Sequence, residues 1–149
     1  MHIQLLRADI TSIKVDAIVN PASPHVQVAG VGPLPVGSAV ATPGGNLLCK
    51  FIIHAVVPRM GEGNEDTKLR AATQSALEKA EELAVASVGL PAMAVGGAFG
   101  FTLERCARVM LGTAIDFRRR SRSLQRAVFC LFGQEPYEVF QRVLQELES

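Results

Sequence analysis

The chain has 149 residues, 15 Lys+Arg, 14 Asp+Glu and a formal net charge of +1. That length fits one domain spanning 1–149, and a chain that is 48% hydrophobic and 19% charged is too apolar to be disordered. The near-zero net charge argues against nonspecific nucleic-acid binding, and the three cysteines (Cys49, Cys106, Cys130) form neither a zinc motif nor a complete disulfide framework, which points to a reducing, cytoplasmic setting.

Met1 to Asp9 meets a carboxylate too early for a signal peptide. The longest apolar run, Leu47 to Val57, is broken by Lys50 and His54, so no membrane segment is expected. Ile3 to Leu6 reads as a short strand that the turn formers Asp9 to Ser12 terminate. Ala17-Ile18-Val19 is apolar on both faces, as a central strand of a covered sheet would be, and ends at Asn20-Pro21. Pro21 to Gly37 carries four prolines and three glycines and predicts a loop. Ser38 to Thr42 and the β-branched run Phe51 to Val57 predict a hairpin around Pro43-Gly44-Gly45-Asn46.

The second half alternates. Leu69, Ala72, Ala76, Ala80 and Leu83 recur at helical spacing and predict a helix over 64–84, with Asn64 as N-cap and Glu65 and Asp66 complementing the dipole. A strand over Ser87 to Met93 leads through Gly96 to Gly100 into a helix capped by Thr102 and running to Phe117. A basic link, a strand over Ala127 to Phe132 and a final helix with Pro136 in its first turn complete the chain. Such alternation implies a layered α/β domain with parallel pairing.

Three features can carry chemistry. The glycines Gly96, Gly97 and Gly100 stand between a strand and a helix, where backbone N–H groups converge on an anion; the plain alternative is a tight turn with no ligand. Asp9 and Asn20 each end a strand near a turn. On one rim of a sheet, the carboxylate accepts from an exocyclic amine and the amide reads ribose hydroxyls; otherwise each ties down its own loop. Arg118, Arg119, Arg120, Arg122 and Arg126 form either a polyanion patch or a solvated helix end. His54, inside an apolar strand, reads as a packed core histidine, and Cys106 and Cys130 read as packing. No metal or cofactor site is expected.

Arg7-Ala8-Asp9-Ile10-Thr11 followed by Val15-Asp16-Ala17-Ile18-Val19-Asn20-Pro21-Ala22-Ser23 resembles the opening of a macrodomain, with its Gly-Asp-Ile-Thr turn and Asp-Ala-Ile-Val-Asn-Ala-Ala-Asn strand end. Gly37-Ser38-Ala39 through Gly44-Gly45-Asn46-Leu47 to Lys50-Phe51-Ile52-Ile53-His54-Ala55 is similar to that family's next block. Gly97-Ala98-Phe99-Gly100-Phe101 before Leu103-Glu104-Arg105 is similar to its second phosphate loop, and Val128 to Phe132 before Tyr137 to its last strand and helix. The likeness runs in the family's order over almost the whole chain.

The resemblance implies a three-layer α/β/α domain with a central mixed sheet that binds ADP-ribose or an ADP-ribosylated protein. By position, Asp9 takes the adenine amine and Ile10 also touches adenine. Asn20 lies near the distal ribose. Gly96, Gly97, Ala98, Phe99 and Gly100 wrap the diphosphate, and Phe132 packs on adenine. The chain also departs from the pattern. Ala8 and Ser23 replace a glycine and an asparagine. The family's first glycine-rich loop and first helix are missing, since only Pro24 to Val36, with Gly30-Val31-Gly32, connects the two blocks. ADP-ribosyl ester hydrolysis needs a positioned water or base, for which Asn20 and His25 are the candidates. The expectation is therefore a binding module. The rivals are a hydrolase or deacetylase of the same fold and a domain that self-associates, as a homodimer, through an exposed sheet face.

Overall fold

A computed structural model describes residues 1–149 except Gln27, Ala29, Gly30 and Ala98. Six strands, β1 (His2–Arg7), β2 (Ala17–Ala22), β3 (Ala39–Pro43), β4 (Phe51–Val56), β5 (Ser87–Leu90) and β6 (Arg126–Leu131), form one sheet in the order β1-β6-β5-β2-β4-β3. Five run parallel, and β3 pairs antiparallel with β4, giving the mixed α/β sheet the sequence implies. Three helices follow in the second half: α1 (Glu65–Glu82), α2 (Leu103–Phe117) and α3 (Gln134–Glu148).

The hairpin, the strand–helix alternation and the Thr102 cap all form as the residues dictate. The Thr102 hydroxyl accepts from the Arg105 N–H at 3.2 Å. Asn64 does stand at the N-cap of α1, but in the left-handed region (φ 53°) and with no side-chain cap bond. Glu65 Oε2 accepts instead from the Gly63 N–H, ahead of the helix, at 2.5 Å. β2 extends through Pro21, beyond the expected end at Val19. Its ladder with β5 ends at Ile18, so from Val19 onward only β4 flanks it and the missing proline N–H is tolerated.

Side chains alternate across the sheet. Ala17, Val19, Ile53, Ala55, Val88, Leu90, Ala127 and Phe129 join Leu69, Leu77, Met110 and Phe140 of the helices in one core. All three helices thus stack on one face, where burying each large side chain contributes about 1.5–3 kcal/mol. Ile18, Val128 and Cys130 face the other way and meet Val15 and Cys49, with Leu6, Ile10, Ile13 and Ile52 packed alongside. The layer there is thin, made of the 3-10 turn Ile10–Ser12 and short loops. Among the described residues of 23–38, no helix adds to it.

Candidate functional site

Parallel pairing brings the carboxyl ends of β1, β6, β5, β2 and β4 to one rim, the usual ligand end of an open α/β sheet. The Ala8 N–H donates to the Leu131 carbonyl at 3.1 Å and carries the β1–β6 pairing one residue past the strands, so Ala8 stands opposite Phe132 and Asp9 follows on the same rim. Asp9 Oδ1 accepts from the Thr11 N–H (2.9 Å) and Thr11 Oγ1 (2.8 Å). The backbone bond, then the hydroxyl bond, hold its carboxyl below the usual carboxylate range. Oδ2 takes no bond from a described residue. The carboxylate thus caps its turn and still offers an acceptor to solvent. Its charge reaches Cys130, whose thiol is pushed up to about 11, by burial first and by Asp9 second. Ile10 is half-buried next to Asp9, and Phe132 is 81% exposed.

The segment after β5 forms a curl. Phe101 N–H donates to Ala94 O at 2.9 Å, while Phe99 and Gly100 donate to Gly96 O at 3.2 and 3.4 Å. Gly96 (φ 71°), Gly97 (φ 52°) and Gly100 (φ 83°) take the left-handed conformations that glycine adopts without cost. Gly96 and Gly97 are exposed, with open space where a side chain would be, and the Gly97 N–H donates to no described residue. Phe99 is half-buried against the core. Ala98, the remaining member of the expected phosphate cradle, lies outside the described residues, as does Gly30 of the Gly30-Val31-Gly32 stretch.

Asn20 is exposed on the thinly covered sheet face. Its Nδ2 lies 3.4 Å from His54 Nδ1, and His54 Nε2 lies 2.9 Å from Thr42 Oγ1. The Asn20 NH2 can only donate, so Nδ1 accepts and Nε2–H donates to Thr42: one neutral tautomer satisfies both contacts. Burial lowers the His54 pKa from 6.5, favouring that neutral form. His54 is therefore not the packed core residue its run suggests. Ile53 and Ala55 point to the helices, and His54, one step away, points to the opposite face. His25 is exposed, its N–H 3.3 Å from Ser23 Oγ. It helps line a cavity of about 710 Å³ with Pro24, Val26, Val28, Val31, Gly32 and Pro33, beyond the carboxyl end of β2.

The arginine cluster lies at the opposite, amino end of the strands. Arg118 pairs with Glu148 at 3.3 Å, Arg120 sits 5.2 Å over the Phe117 ring, and Arg126 binds Gln4 Oε1 and the Lys14 carbonyl. Among the described residues no group of three or more His, Cys, Asp or Glu side chains could hold a metal.

Sequence reasoning missed two features. One is the Asn20–His54–Thr42 chain, whose histidine is flanked on both sides by apolar residues that carry no alternation. The other is Arg105, a cation in the first turn of α2, where the helix dipole favours acids; that mismatch was the available signal.

A family model described as Macro domain matches residues 21–110. An uncharacterised protein of Saccharolobus solfataricus is 33% identical over 171 aligned residues, which take in 99% of this chain and 94% of that protein. The alignment is longer than this 149-residue chain, so the relative carries residues inside the matched span that have no counterpart here. A macro domain-containing protein of Caldanaerobacter subterraneus subsp. tengcongensis is 33% identical, with 99% and 98% covered. Among solved structures, the Oceanobacillus iheyensis macrodomain with ADP superposes at a TM-score of 0.88, at 22% identity over 97% of this chain and 90% of that one. The Trypanosoma brucei macrodomain in complex with ADP does so at 0.82, with 24% identity over 96% and 69%. The chain belongs to the macro domain family.

Proposed function

We propose that this protein is a binding module for ADP-ribose, free or attached to a protein, seated across the carboxyl ends of its strands. What supports the reading is that the Asp9 carboxylate, the exposed Phe132 ring and the glycines Gly96, Gly97 and Gly100 all follow the carboxyl ends of parallel strands β1, β6 and β5. A carboxylate suits the adenine amine, an exposed aromatic suits the base, and backbone N–H groups suit a diphosphate. The relatives' bound ADP supports the same ligand class. We assign the residues absent from the matched span to the connection 24–36, where the family's first phosphate loop would stand. Losing part of a cradle removes charge-assisted hydrogen bonds, so the expected affinity is weak for the family.

We infer binding without turnover. His25 is exposed and its imidazole makes no hydrogen bond to a described residue that would orient it as a base. Calorimetric titration with ADP-ribose tests the reading. The expected result is a 1:1 isotherm that weakens by about tenfold or more in Asp9→Ala, as a lost hydrogen bond to a charged group would produce. No heat at millimolar ligand rejects the reading; equal binding by both proteins rejects the role of Asp9. Single-turnover incubation with an ADP-ribosylated protein is expected to release no ADP-ribose.

A further inference from the structure

The glycine curl does not stand alone. Its Phe99 carbonyl accepts from the Met60 N–H at 2.8 Å, and a side chain on Gly100 would come within 3.3 Å of Met60 Cβ. Met60 belongs to the loop between β4 and α1, so two loops of the rim meet there. One side chain touches both. Arg105 Nε donates to Asp66 Oδ1 at 2.5 Å, one terminal nitrogen lies 3.4 Å from Glu65 Oε1, and the other lies 3.5 Å from Met60 Sδ. Its guanidinium sits 5.3 Å over the Phe101 ring, the residue that closes the curl through Ala94. Glu65 in turn receives the Gly63 N–H. A cation at this position works against the dipole of its own helix, so its value lies in these outside contacts.

We propose that Arg105 is a positioning residue for the phosphate-facing curl: it acts through Phe101 and Met60, touches no ligand, and fixes the curl against the first turn of α1. This rests on the ligand reading above. A planar fork that binds two carboxylates and covers a ring suits the task, and a lysine would not reproduce it. With one phosphate loop shortened, affinity depends heavily on how rigidly the other is held.

The test separates positioning from charge and from the ligand reading itself. Arg105→Gln removes the fork and a positive charge. Asp66→Asn loosens the fork yet removes a negative charge, which by itself would favour an anionic ligand. Hydrogen exchange is followed at the Met60, Phe99, Gly100 and Phe101 amides, alongside ADP-ribose affinity and thermal midpoint. Positioning predicts faster exchange at those amides in both variants, an affinity loss of about three- to tenfold in both, and amides of β5 and β6 unchanged. Arg105→Lys is expected to restore exchange and affinity only in part. Unchanged exchange at those four amides overturns the proposal, as does tighter binding by Asp66→Asn. If the native protein binds no ADP-ribose, the ligand reading fails and the exchange data alone decide the role of Arg105.

Discussion

Asp9 illustrates how one side chain serves the fold and leaves a function open. Its two bonds from Thr11 converge on Oδ1, which fixes the carboxylate in place while Oδ2 faces solvent. Because those bonds lower its pKa, the cap stabilises the fold above the ordinary value of 3.8 and is lost as pH falls below it. The group is fully charged at neutral pH, as an acceptor for an amine must be. The cysteines are the opposite case. Burial pushes Cys106 up to about 12, and Cys130 reaches about 11. Thiolate is the reactive form, and Cys49 is buried as well. Native protein treated with iodoacetamide at pH 8 is therefore expected to remain unmodified at all three positions by mass spectrometry, with full labelling in urea. Labelling of Cys106 or Cys130 in native protein would contradict their buried placement.

At the scale of elements, the glycine curl and the thin sheet face are the two sensitive regions. Gly100 has φ 83°, and its neighbour Met60 leaves little room for a methyl group. Gly100→Ala is expected to cost about 1–2 kcal/mol in urea denaturation and to weaken ADP-ribose binding, because the left-handed conformation is penalised in every residue with a Cβ. A neutral effect on both would mean the curl has another resting shape. On the sheet face, the Asn20–His54–Thr42 chain needs neutral His54. A histidine whose folded pKa is lowered adds stability that is complete above 6.5 and is lost as pH falls through the folded value. The native protein is expected to lose thermal stability as pH falls below 6.5, and His54→Gln to flatten that slope. An unchanged slope in the variant would assign the effect elsewhere.

For the whole molecule, what could be read from sequence followed from periodicity and punctuation. Strands that alternate with helices pair in parallel, which puts Phe132 and the curl at the carboxyl ends of neighbouring strands, whereas Asp9 shares that rim through the parallel pairing of β1 with β6, which no alternation dictates. The Pro43-to-Asn46 turn fixed the antiparallel edge. What escaped were properties of facing. A run such as Phe51 to Val57, apolar at nearly every position, carries no alternation, so the side to which His54 points was not written in it. Asn64 has the composition of a cap but sits at φ 53°, after Gly61 and Gly63 that also take positive φ, and its side chain makes no cap bond. Arg105 joins residues 39 to 45 positions away, beyond the reach of any local pattern.

The central claim is that ADP-ribose lies across the carboxyl ends of the strands, between Asp9 and the glycine curl. A nitrogen-15-labelled sample titrated with ADP-ribose and followed by amide chemical shifts tests it most directly. The account expects saturable shifts at Asp9, Ile10, Gly96, Gly97, Phe99, Gly100 and Phe132, with Lys50, Ser87 and Arg126 at the amino ends unmoved. Shifts confined to the amino ends, or none at millimolar ligand, would contradict it.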